Sequence, residues 1–108
     1  MPSFEQTSAR DLADAGFERA DAGSSAEALR HFERALELDP RCAAAWAGKG
    51  MQLQGEAALA CFDQAIGAMP DYDGAWFLKS VVLGELGRAN EAASCLARAR
   101  ALSPGTYG

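Results

Sequence analysis

The chain has 108 residues, 49 % of them hydrophobic, with a net charge of −5 and a pI near 4.7. That length suits one domain or one repeat array, and the abundance of alanine favours closely packed helices over a bulky core. The acidic balance argues against a nucleic-acid partner and against anionic lipid, and no run approaches the ~18 apolar residues of a membrane span.

The opening Met1-Pro2-Ser3-Phe4-Glu5-Gln6 has neither the basic start nor the apolar stretch of a signal peptide, so a cytoplasmic protein is expected. Phe4 either folds back as a hydrophobic staple on the first hairpin or belongs to a mobile tail. A first helix is predicted near 9–22, capped by Ser8 with Asp11 and ended by Gly23. Ser24-Ser25-Ala26-Glu27 has the spacing of a capping box and opens a second helix near 25–38. Asp39-Pro40 stops it. A third helix near 42–54 is followed by Gly55, a fourth runs near 56–68, and Met69-Pro70 ends that one. Asp71 and Asp73 suit the start of a fifth helix near 73–86, which Gly87 terminates. The sixth, near 90–102, ends at Ser103-Pro104.

The same residues recur when the segments are aligned on these prolines. Pro40 and Pro70 are 30 residues apart, and Pro70 and Pro104 are 34 apart. Ala28, Phe32 and Ala35 match Ala58, Phe62 and Ala65, then Ala92, Leu96 and Ala99. Steps of four and three put each trio on one helical face, small-large-small, where a neighbouring helix approaches closely. Leu12, Trp46 and Trp76 share a second register, each followed four residues later by Gly16, Gly50 or Ser80. The division is 1–8 lead-in, 9–40 first repeat, 41–70 second, 71–104 third and 105–108 tail. The second unit lacks four residues around Gln54-Gly55. About one helical turn, roughly 5.4 Å, is missing there. A shortened third helix and a tight Gly55 turn are expected, with the packing register elsewhere kept.

The pattern W-x-x-L-G-x-x-Y…A-x-x-x-F…P at a period of about 34 residues resembles the tetratricopeptide repeat. Here it reads Trp46-x-x-Lys49-Gly50-x-x-Leu53…Ala58-x-x-x-Phe62…Pro70. The third unit gives Trp76-x-x-Lys79-Ser80-x-x-Leu83…Ala92-x-x-x-Leu96…Pro104, and the first Leu12-x-x-Ala15-Gly16-x-x-Arg19…Ala28-x-x-x-Phe32…Pro40. Lys49 and Lys79 replace the usual leucine, a variant familiar among bacterial repeats. Their alkyl stems pack while the ammonium reaches water. Arg19 replaces the tyrosine, which predicts looser packing in the first hairpin.

The resemblance implies an all-α fold, a right-handed α-solenoid of three antiparallel helix-turn-helix repeats with a concave groove lined by the first helix of each. The groove positions are then Ala13 and Phe17, Ala47 and Met51, Phe77 and Val81. That set is apolar, so the expected function is a protein-interaction module holding an apolar peptide or helix of another protein. Some of these side chains could instead pack within or between hairpins. Tetratricopeptide proteins that grip the carboxylate of heat-shock chaperones do so with Lys, Asn and Arg. The matching positions here are Ala13, Phe17, Gly48, Gly74 and Leu78, none able to pair with a carboxylate. The alternative to an adaptor is a structural subunit that forms a homodimer or assembles with another protein through a last-helix face of Ala93, Leu96, Ala97 and Arg100.

No catalytic, cofactor or metal site is predicted. His31, Cys61 and Cys95 share one register on successive second helices, and helices in contact lie about 8–10 Å apart. Ligands of one zinc sit about 2.3 Å from it. Three cysteines, odd in number and without C-x-x-C spacing, argue against a disulfide framework, and Cys42 reads as a small filler. Glu33, Glu37 and Asp39 lie at ion-pair spacing from Arg30, Arg34 and Arg41. The glycines follow no strand, so none forms a phosphate loop.

Overall fold

Apolar residues spaced by three and four produce six helices in the computed structural model, which describes residues 7–107. They are α1 (Ala9–Asp21), α2 (Ser25–Leu38), α3 (Ala43–Met51), α4 (Gly55–Ala68), α5 (Asp73–Glu85) and α6 (Ala89–Leu102). No strand occurs among the described residues. The Phe4 staple falls outside them.

The helix ends follow local chemistry, with two corrections. Ser8 and Asp11 form a reciprocal capping box: the Ser8 hydroxyl accepts from the Asp11 amide at 3.0 Å, and the Asp11 carboxylate accepts from the Ser8 amide at 3.3 Å. The box expected at Ser24–Glu27 does not form. Ser24 occupies the N-cap of α2 without a side-chain bond, and Glu27 turns towards Arg19 at 3.8 Å. Asp71 and Asp73 do not cap α5 either; Tyr72 holds that place, and Asp73 adds only its charge to the first turn. Gly23 and Gly87 end α1 and α5 at φ +86° and +78°. Each completes a Schellman turn, in which the Ser24 amide donates to Arg19 O and the Arg88 amide to Leu83 O, both at 2.8 Å.

α1 packs on α2, α3 on α4 and α5 on α6, and α2–α3 and α4–α5 contacts join successive pairs. The result is an α-solenoid of 53 × 26 × 23 Å. Phe32 and Phe62 are wholly buried along the seam. The Phe32 ring lies between Gly16 of α1 and Gly48 of α3; a Cβ on Gly16 would come within 2.6 Å of it, and one on Gly48 nearer still. Phe62 rests likewise on Gly50, where a Cβ would meet the ring at 2.7 Å. Leu96, the third member of that register, is only half-buried, because no described helix covers its outer side.

A repeated polar fastening ties each pair to the next. The indole N–H of Trp46 donates to Pro40 O and that of Trp76 to Pro70 O, both at 2.8 Å. Lys49 lies 5.7 Å from the Trp46 ring centre and reaches Glu33 of α2 at 3.7 Å. Lys79 lies 5.9 Å from the Trp76 ring centre and reaches Asp63 of α4 at 2.6 Å. The expected pairing of Glu33, Glu37 and Asp39 with Arg30, Arg34 and Arg41 is therefore corrected. Glu33 reaches across to the next helix, Asp39 accepts from the Arg41 backbone amide at 3.0 Å, and no described cation bridges Glu37.

Candidate functional site

Deleting four residues from a helix that must lie beside two longer ones leaves a gap at one end. α3 has 9 residues where α1 and α5 have 13. The two amides after Met51 turn back at once, Gln52 to Lys49 O at 3.0 Å and Leu53 to Gly50 O at 3.1 Å. No Schellman turn follows; Gly55, at φ +61°, opens α4 directly. α1 packs against α3, whereas α3 and α5 barely meet.

The missing turn becomes a cleft of about 820 Å³. Met51, Leu53 and Gln54 form one wall, Leu78, Val81 and Leu86 the other, with Phe62 at the floor and Glu85 on the rim. Met51, Val81 and Leu86 are 50 %, 42 % and 39 % exposed, so three of the molecule's most exposed large apolar side chains surround one opening. Among the described residues Glu85 is the sole charged one lining it, and no described cation pairs with it. Arg88, just past the turn, is held by Glu56 at 3.3 Å and Glu91 at 2.8 Å.

The six predicted groove residues divide accordingly. Met51 and Val81 both line the cleft. Ala13 and Ala47 are enclosed, at 0 % and 1 % exposure, which corrects their assignment as contact residues. Phe17 packs edge-on against Phe32 with ring centres 5.0 Å apart. Phe77 is stacked by Tyr107 at 4.8 Å, and the Tyr107 hydroxyl donates to the Asp73 carboxylate at 2.7 Å, which pushes its pKa up to about 12. Arg100 secures the same tail by donating to Tyr107 O at 3.2 Å. Sequence reasoning missed this contact, although an aromatic three residues beyond Pro104 offered a signal. A smaller hollow of about 340 Å³ lies at the N-terminal ends of α1 and α3, beside Arg10, Met69 and Tyr72. Burial pushes the Tyr72 phenol up.

On α6, Ala93, Ala97 and Arg100 are exposed and Leu96 is half-buried. The described residues hold no group of three His, Cys, Asp or Glu side chains placed to bind a metal. His31 Nδ1 donates to Glu27 O at 2.8 Å, which leaves its ring tied to its own helix. Burial pushes the Cys61 and Cys95 thiols up, away from the reactive thiolate. No described helix is long and apolar enough to cross a membrane.

The family profile that matches this architecture is that of the tetratricopeptide repeat, over residues 9–51 and 52–106. The chain belongs to the tetratricopeptide repeat family. No curated protein sequence matches it. Among solved structures, this tetratricopeptide array is similar to MamA with a TM-score of 0.82 and 20 % identity, over 93 % of this chain and 61 % of that one. It thus spans under two thirds of MamA. It is similar to the first tetratricopeptide domain of Spaghetti (RPAP3), bound to the HSP90 peptide SRMEEVD, with a TM-score of 0.85 and 18 % identity, covering 91 % and 81 % of the two chains. The second such domain, with the same peptide, gives 0.83 and 24 %, covering 91 % and 94 %.

Proposed function

We propose that the chain is a protein–protein interaction module, a scaffold or adaptor without catalytic activity, that holds an apolar peptide or helix in its groove. The observation that carries this reading is the cleft at the α3–α5 step, where Met51, Val81 and Leu86 stay exposed around an apolar hollow. A volume of that order suits a few anchoring side chains. The Spaghetti domains hold an acidic-ended peptide. Here the cleft is lined by one carboxylate and no cation, so a ligand of that charge is disfavoured.

The test pairs Met51→Glu with Val81→Glu. Both side chains are exposed, so helical circular dichroism should be retained while capture of a partner isolated with the wild-type chain is lost. Undiminished capture would remove the cleft as the binding site. Self-association through Ala93, Leu96, Ala97 and Arg100 has less support, because Arg100 is engaged with the tail and the exposed remainder is mostly alanine. Sedimentation of wild type and Leu96→Glu as the same monomer is the expected outcome.

A further inference from the structure

The cleft has the shape of something this fold itself contains elsewhere. α1 and α3 show how two first helices pack when both are long enough, and α5 offers the same kind of surface to α3 but finds the last turn absent. Four residues at 1.5 Å each leave a gap about 6 Å long beside α5. What that gap fits is about one turn of helix, presenting apolar residues three or four apart to Leu78, Val81 and Leu86.

Two charges bear on the same opening. Glu85 stands on the rim with no described cation paired to it, while Lys49, Lys79 and Arg88 are each tied to carboxylates outside the lining. α3 also ends there, after Met51, and the carbonyl end of a helix carries partial negative charge. The whole chain adds a net −5. Neither feature favours an anionic guest.

Resting on the proposed interaction role, we infer that the cleft takes a short cationic amphipathic helix of a partner protein, which supplies the missing turn between α3 and α5 and sets a Lys or Arg against Glu85. The apolar pair of that helix enters between Met51 and Val81. Its basic residue meets Glu85 and the α3 terminus, fixing direction and register.

Three synthetic helical peptides test this against the full chain, by calorimetry and by the methyl resonances of Met51 and Val81. One carries two leucines four apart with flanking arginines, the second has glutamates for the arginines, and the third is the arginine peptide interrupted by proline. The arginine helix should bind at least about tenfold tighter than either of the others and shift both methyls. Glu85→Lys should reverse the preference between the first two, and Glu85→Gln should narrow it. Equal binding of the arginine and glutamate peptides to wild type overturns the cationic assignment. Equal binding of the proline peptide overturns the helical one. Methyl shifts that depend on protein concentration without peptide identify a second copy as the occupant, which also overturns it. Should no peptide bind, the inference falls, and partner capture by wild type against the Met51→Glu, Val81→Glu pair separately decides the interaction role.

Discussion

Phe32 shows how one side chain sets the spacing of three helices. Its ring is closed in by glycines on α1 and α3, and a methyl at either would overlap it. Gly48→Ala should therefore lower stability by about 1–3 kcal/mol through overpacking, despite the better helix propensity of alanine. Gly67 is exposed with nothing within 4 Å of its missing Cβ, so Gly67→Ala should instead stabilise by up to about 1 kcal/mol. Thermal melts of the two variants, moving in opposite directions, check both. The phenol of Tyr107 supplies a pH prediction. Its pKa stands at about 12 in the folded chain because the Asp73 carboxylate accepts its proton in a hydrogen bond, against an ordinary value near 10. A raised folded pKa means that tail docking contributes fully below about pH 10 and is lost as pH rises through about 12. Spectrophotometric titration should show that late phenol, and Asp73→Ala should bring it back towards 10. The aromatic was visible in the sequence; its acceptor, 34 residues earlier, was not.

Among the elements, the inter-pair fastening was half legible. Lysine at positions 49 and 79 was read as a stem packed on the core with its ammonium in water, and the stem reading holds. The ammonium, however, sits beside an indole and ends on the acid one residue past the buried phenylalanine of the preceding helix pair. Both pairs recur with the same separation, 16 residues (49 − 33 and 79 − 63), but that spacing spans two helices, and only the three- and four-residue spacings within one helix suggest a pair directly, which favoured the Arg30 and Arg34 pairings that do not form. A double-mutant cycle of Lys79→Ala and Asp63→Ala should give a coupling of about 0.5–1 kcal/mol, small because both partners are partly exposed, and reduced by added salt. Helix number, order and the short α3 followed directly from the 30-residue interval and the alanine–phenylalanine trios. The cap at Ser24 did not, because the turn closed by Gly23 holds the Ser24 backbone at ψ 71°, where the capping Ser8 has 163°, and its hydroxyl makes no bond to the first amides of α2.

At the scale of the molecule, the candidate site is the deletion. Its existence was legible from the proline spacing, and so was the apolar character of Met51 and Val81. What sequence could not tell was depth: Ala13 and Ala47 fall on the same predicted face as Met51 and Val81, yet small side chains on closely packed helices sink beneath the contact surface. Restoring a full-length α3, by inserting four residues between Leu53 and Gly55 to match Leu83–Ala89 of the third unit, should fill the cleft. That variant is expected to melt at a higher temperature than wild type and to lose its partner.

The absent α3–α5 packing also has a mechanical meaning. Along one side of the solenoid the inner helices brace each other from α1 to α3, and then the brace stops. The last helix pair is carried past that step chiefly by α4 against α5. Opening the inner side at the step separates almost nothing between α3 and α5, and the α4–α5 contact alone resists it. A guest wedged beside α5 would set the curvature of the whole chain, as a shim sets the angle of a loose joint.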